Sequence, residues 1–282
     1  MRENRTPGSV QGAPGNRCPY CDGVNHMGVK MNINDTELLE IASGSTSRFE
    51  LWRKVLNATN SKTLVEVGVW KGDFAKEVLE QCANIEKYYM IDPWATLPDW
   101  NKPFNVDART FDDVYAEAMK KIEFASEKVV VLRGKTKEVI EKIPDESLDF
   151  AYIDGDHTLR GITIDLIKLL PKMKNGGLIA GDDFAPNPWQ HDIRFEPTLV
   201  CPFSIYFAEA MDLPIIALPF NQFLIQKRSN SSFSFKDITG RYSDISLNKL
   251  PPHYKATGIK TNLKKAYKKA LNTLGLIKNS SS

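Results

Sequence analysis

Apolar and polar residues follow one another along this chain in two rhythms, and their succession predicts the fold. Short apolar runs rich in β-branched residues, at Thr63–Gly68, Lys87–Asp92, Lys128–Leu132, Leu148–Asp154 and Gly177–Asp182, have the length and character of buried strands. Between them, segments near 72–82, 110–124, 135–142 and 158–170 carry apolar residues at helical spacing. That alternation predicts parallel strands joined by right-handed crossovers, with ligands bound at the carboxyl ends of the strands. A helical lead-in from Thr36 to Asn57, interrupted at Gly44-Ser45, precedes the first strand; Leu38, Leu39, Ile41, Phe49, Trp52, Val55 and Leu56 are its expected core contacts. A helix near 198–211 leads to Leu213–Leu218 and Gln222–Gln226, a late hairpin-like pair that brings the expected sheet to seven strands. The expected fold is α/β with a doubly wound, mostly parallel sheet. Residues 1–34 read as an arm, 35–227 as the folded domain and 228–282 as a basic extension.

The first strand carries the most specific chemistry. It holds an acid, Glu66, and then turns through Gly68 and Gly72 into an amphipathic helix. A dinucleotide site needs three close glycines to seat a pyrophosphate, whereas this loop keeps two and sets a carboxylate before them. A carboxylate repels phosphate and suits a cation or an amine. The expected cofactor is therefore S-adenosylmethionine, which offers a sulfonium, an ammonium and a ribose but no phosphate. Asp92 closes the second strand 24 positions after Gly68, close to the roughly 20-residue offset of a ribose-binding acid; the competing reading makes it a turn residue before Pro93.

Further acids close two later strands. Asp154 ends one and Asp182-Asp183 the next, so their carboxylates should converge at the ligand edge and repel one another. A hard divalent cation, magnesium or calcium, relieves that repulsion at an oxygen-only site; alternatively, Asp182 and Asp183 cap a loop through their own backbone. Two long connections, Pro93–Ala108 with Trp94, Trp100 and Phe104, and Phe184–Pro197 with Trp189, His191 and Arg194, follow strand ends on the same face. Their rings either line an acceptor site or pack the loops onto the core.

Composition and charge narrow the picture. At 282 residues with 42% hydrophobic residues, the chain can bury a full α/β core. No apolar run approaches the roughly 20 residues of a membrane span, and Met1–Asn16 has no secretory pattern. Four cysteines in no disulfide pattern fit a reducing compartment, and cytoplasmic residence is the default expectation. Cys18, Cys21 and His26 have half of a zinc-site spacing, but a structural zinc needs four ligands, which weighs against that ion. From Arg228 onward, nine lysines and two arginines against Asp237 and Asp244 give a net +9, leaving −7 for the rest. The acidic core argues against nucleic acid as acceptor. The basic face around Ile259–Ile277 admits either contact with an anionic membrane or docking on its own domain or a second subunit.

Three blocks together resemble class I S-adenosylmethionine-dependent methyltransferases, and within them the metal-dependent sugar O-methyltransferases of macrolide and aminocoumarin biosynthesis. They are Val65-Glu66-Val67-Gly68 through Gly72, Ile153-Asp154-Gly155-Asp156-His157, and Gly176-Gly177-Leu178-Ile179-Ala180-Gly181-Asp182-Asp183-Phe184. The likeness spans roughly residues 60–227 and implies a Rossmann-like methyltransferase fold. It implies that Glu66, Gly68, Gly72, Asp92, Gly134, Thr136 and Asp154 hold the cofactor. It further implies a divalent ion on Asp154, Asp182 and Asp183, with Asp156, or else His157, taking the acceptor's proton. The implied reaction is O-methylation of a sugar, glycan or natural-product intermediate. A catalytically silent binding protein of the same fold is the second reading, and a nicotinamide-dependent oxidoreductase is disfavoured by Glu66 and the missing third glycine.

Overall fold

The computed structural model describes residues 33–192 and 194–242. The arm with Cys18, Cys21 and His26 and the basic segment Ile259–Ile277 lie outside the described residues. The lead-in is two helices, α1 (Asp35–Ser43) and α2 (Arg48–Ala58), parted at the Gly44-Ser45 interruption. Each starts on a side chain that satisfies an orphan amide: Asn34 accepts from Glu37 N and Ser47 from Glu50 N. Helix α2 buries Leu51, Trp52, Val55 and Leu56 in the core. Leu39, expected inside, is 36% exposed.

Strands β1 (Thr63–Val67), β2 (Lys87–Asp92), β3 (Val129–Arg133), β4 (Leu148–Ile153) and β5 (Met173–Gly181) pair in parallel. Helices α3 (Asp73–Gln81), α4 (Ala108–Lys121), α5 (Thr136–Val139) and α6 (Leu159–Leu169) form the crossovers between them. Helix α7 (Val200–Ala210) leads to β6 (Pro214–Leu218) and β7 (Gln222–Gln226), an antiparallel pair in which β7 also runs antiparallel to β5. Among the described residues the sheet has eight strands, in the order β3-β2-β1-β4-β5-β7-β6-β8, and not seven. The addition is β8 (Ser234–Asp237), parallel to β6 at the edge and beyond residue 227. Its residues are exposed or half-buried, so it lacks the apolar run that marks the inner strands.

Strand order reverses between β1 and β4, because β2 and β3 extend the sheet one way and β4 and β5 the other. The crevice outside the carboxyl ends of strands at such a switch point is where open α/β sheets bind ligands. Every residue of β4 is buried, which fixes that edge rigidly. Among the described residues no helix is long and apolar enough to cross a membrane.

Candidate active site

A cavity of about 520 Å³ opens at this switch point, within the usual range for small-molecule sites. Of the residues expected to hold cofactor, metal or proton, all but Gly72 line it. Gly72 is set off from the cavity: it starts α3 in a left-handed conformation, φ +75°, and faces Ala118 of α4. Gly68 is where the chain has no alternative. Its φ is +86°, and a Cβ there would lie 2.2 Å from the Asp154 carbonyl oxygen and 2.4 Å from Gly155 Cα. The β1 turn and the end of β4 can meet only across a bare backbone.

Two acids hold the turn from beneath. Glu66 is buried and accepts a 2.8 Å hydrogen bond from the Tyr88 hydroxyl. Burial pushes its carboxyl well above the usual range, and the nearby Asp154 and Asp92 add to the rise. A cation placed beside it would restore its charge. Asp92 Oδ2 accepts from the Val69 and Trp70 amides at 2.9 and 3.0 Å, and Oδ1 accepts from Trp94 N at 2.7 Å. These three bonds make Asp92 a turn residue, and they leave Oδ1 with acceptor capacity for one further donor.

The expected acid cluster forms, but it is compensated from within. Arg48, on the lead-in helix α2, pairs with Asp154 at 2.9 Å and also with Asp182. Asp182 further accepts from Gln222 Nε2 at 2.6 Å, and Gln222 Oε1 accepts from Trp52 Nε1 and the Tyr152 hydroxyl at 2.7 and 3.0 Å. His157 Nδ1 lies 2.5 Å from Asp183, while its buried Nε2, 3.5 Å from Asp154, has no hydrogen-bond partner. Burial works against a charge on His157, but the two carboxylates overcome it and push its pKa up to about 10. Burial likewise opposes the charge of Asp183, yet His157, His191 and Lys102 hold that carboxyl below the usual range. The ligand atoms of Asp154, His157 and Asp183 lie within 4.8 Å of one another. Asp182, expected in that set, faces Arg48 and Gln222 instead.

The His157 pairs carry a pH signature. An imidazole whose folded pKa stands above its ordinary value near 6.5 stabilises the fold fully below that value. The contribution is then lost as pH rises through about 10. In chelator-containing buffer, the stability advantage of wild type over His157→Gln should shrink from pH 6.5 to 10 in denaturant titrations. A difference that grows over this window would show that His157 is not held as a cation.

Asp156 stands at the start of α6, where Gly161 permits its approach: a Cβ at Gly161 would lie 2.2 Å from the Asp156 carbonyl oxygen. Its Oδ1 accepts from Thr158 N and from Trp100 Nε1, both at 3.0 Å. Among the described residues, Oδ2 has no donor. Trp100 thus serves the site, whereas Trp94 is packing: it is buried, bonds the Trp70 carbonyl at 2.8 Å and stands edge-on to Tyr115. The two long loops close on each other through Asn101 Nδ2 to Arg194 O at 2.6 Å and Lys102 Nζ to Glu196 O at 2.9 Å. Lys102 is buried and faces the cavity, and among the described residues the groups within its hydrogen-bond reach are neutral, Glu196 O and the Thr198 hydroxyl. By contrast, the equally buried Lys172 is paired with Glu141 and Asp145.

Arg48 and Lys102 escaped the sequence reading. Arg48 opens a helix 106 positions from its partner, so no local spacing reveals it. Lys102 sits among the prolines and aromatics of an irregular loop.

A protein-family model described as a methyltransferase domain matches residues 65–184. No curated protein sequence matches the chain. A Staphylococcus aureus structure assigned as a caffeoyl-CoA O-methyltransferase is 16% identical, covering 70% of this chain and 93% of its own, with a TM-score of 0.49. The S-adenosylhomocysteine-bound Podospora anserina methyltransferase PaMTH1 is 15% identical over 70% and 89%, with a TM-score of 0.46. A Bacillus cereus O-methyltransferase in complex with S-adenosylhomocysteine is 14% identical over 71% and 83%, with a TM-score of 0.47. The matched segment runs from the acid-first glycine turn to the acids that close β5, so much of the cavity wall lies in the part of the chain that is similar to a methyltransferase domain.

Proposed function

We propose that the protein transfers the methyl group of S-adenosylmethionine to a hydroxyl oxygen of a sugar or other polyhydroxylated acceptor. The observation that carries this reading is Asp156. One of its oxygens is fixed by Trp100 and Thr158, and the other is left for a ligand at the rim of the cofactor cavity. The acceptor oxygen attacks the methyl carbon, the carbon–sulfur bond breaks with its electron pair going to sulfur, and the hydroxyl proton passes to Asp156. His157, the other base that the resemblance implies, has its pKa pushed up to about 10 by Asp154 and Asp183 and so already carries its proton at neutral pH. The leaving group is activated from the start, so the protein's main task is alignment, which is worth up to roughly 7–11 kcal/mol in favourable systems.

A divalent ion fits part of this site. Asp154, Asp183 and the unpartnered Nε2 of His157 would hold it once His157 gives up its proton, with Asp182 left to Arg48. Such an ion supplies Lewis-acid assistance, lowering the pKa of a coordinated hydroxyl. A mixed carboxylate–imidazole set admits first-row metals as well as magnesium. The polar groups of the two joined loops, Trp100, Lys102, His191 and Glu196, together with Arg160 of α6, suit a hydroxyl-rich acceptor better than an apolar one.

The test is a mass-spectrometric screen with S-adenosylmethionine, a divalent ion and a panel of nucleotide sugars, glycans and catechols, read as gain of one methyl group. Asp156→Asn should lower turnover of the methylated acceptor by about 10²–10⁴-fold while binding S-adenosylhomocysteine as wild type does. Full turnover in that variant would remove Asp156 from the mechanism. Methylation confined to nitrogen or carbon would remove the hydroxyl acceptor.

A further inference from the structure

The loop after β2 carries a buried lysine that the mechanism above does not use. Lys102 is 5% exposed; burial opposes its charge and holds its pKa below the usual lysine range, while Asp156, Asp183 and Glu196 favour the charge. Two of these acids are engaged elsewhere: Asp183 is paired with His157, and Oδ1 of Asp156 is bonded by Trp100 and Thr158. An ammonium has three N–H donors. Among the described residues two of them have acceptors, Glu196 O at 2.9 Å and the Thr198 hydroxyl at 3.4 Å, and the third is left for the cavity. The other cations of the cavity wall differ: Arg48 meets Asp154, Lys71 meets Glu117, Lys135 and Arg160 meet Asp99, and Lys137 is exposed. Holding two loops together calls only for a neutral donor, which would reach a carbonyl and a hydroxyl without the cost of burying a charge. The charge on Lys102 answers to what the cavity binds.

The charges that act on Glu66, beside the cofactor's charged end, are those of Asp154, Asp92 and Arg48. Those that act on Lys102 are Asp156, Asp183 and Glu196. Trp100, two residues before Lys102, fixes Asp156, the acid that takes the acceptor's proton. Lys102 thus stands with the groups that serve the acceptor. We propose that Lys102 binds an anionic oxygen group of the acceptor, a carboxylate or a phosphate, so that the enzyme takes acidic sugars in preference to neutral ones. Held at a hydroxyl by Asp156 and at its anionic group by Lys102, such a sugar is fixed at two points when it meets the methyl carbon. This inference rests on the reading of the cavity as that of an O-methyltransferase for polyhydroxylated acceptors.

The experiment measures kcat/KM for methyl transfer from S-adenosylmethionine, in magnesium-containing buffer and with the full chain, on glucose, glucuronate, glucose 6-phosphate and uridine diphosphate glucose. Wild type should favour the best anionic sugar over glucose by on the order of tenfold or more. Glucuronate in that place assigns a carboxylate, and either phosphorylated sugar a phosphate. Lys102→Met should bring the ratio to about one, and Lys102→Arg, which keeps the charge, should keep most of it. A lysine that only ties the loops would instead lower turnover of all four sugars alike. If the methionine variant does not fold, Lys102→Gln, whose amide can still tie the loops, takes its place. A wild-type ratio below twofold overturns the proposal, and so does an undiminished preference in the uncharged variant. Loss of S-adenosylhomocysteine binding in a folded uncharged variant would assign the lysine to the cofactor's carboxylate and overturn the proposal as well. Wild type that binds S-adenosylhomocysteine but methylates none of the four is a different result, one that removes the sugar acceptor on which the assignment rests.

Discussion

Gly68→Ala is expected to lose measurable binding of S-adenosylhomocysteine and to destabilise the fold by roughly 3–5 kcal/mol. The variant combines two penalties that relaxation at one site cannot remove. A backbone at φ +86° is strained for any residue with a Cβ, and the added carbon would overlap the Asp154 carbonyl and the Gly155 Cα, both main-chain atoms of the neighbouring strand end. If the chain relieves the overlap by parting β1 from β4, the switch-point crevice widens and the Glu66 and Asp154 walls separate. Thermal melting and calorimetry on the variant provide the check. A protein that melts and binds like wild type would show that the two strand ends are not in the contact described.

Arg48→Met is expected to cost about 2 kcal/mol, from two carboxylates left without their cation. That lies below the roughly 3–5 kcal/mol of fully buried pairs, because Arg48 is 32% exposed and its partners 22% and 16%. The number distinguishes a structural clamp from an incidental surface pair, which would cost about 0–1 kcal/mol. A double-mutant cycle isolates the interaction: Asp182→Asn in the methionine background should cost less than Asp182→Asn in wild type, because its partner is already absent. Additive losses would mean that Arg48 and Asp182 do not interact. The clamp originates on the lead-in helix, upstream of the matched segment 65–184, so a residue outside that segment completes its acid cluster.

The sequence is most legible where physics is local. The inner strands announce themselves as apolar runs, and the breaks at Gly44-Ser45 and Gly68 mark turns that only small or polar residues enter readily. The acids at strand ends were legible as a group, since one strand-end rule places Asp92, Asp154 and Asp182-Asp183 along one edge. How they divide their partners was not. Arg48 reaches Asp154 and Asp182 from a distant helix, and His157, read as a base, lies between Asp154 and Asp183 instead. Strand β8 was missed because an edge strand that buries little carries little pattern.

The central claim is that an acid-first glycine turn at the β1–β4 switch point holds a positively charged methyl donor and not a dinucleotide. Isothermal calorimetry of the full chain against S-adenosylhomocysteine, and separately against a nicotinamide dinucleotide, tests it most directly. The account predicts a saturable isotherm for S-adenosylhomocysteine, lost in Gly68→Ala, and no heat of binding for the dinucleotide. Tight dinucleotide binding with no uptake of S-adenosylhomocysteine would contradict it.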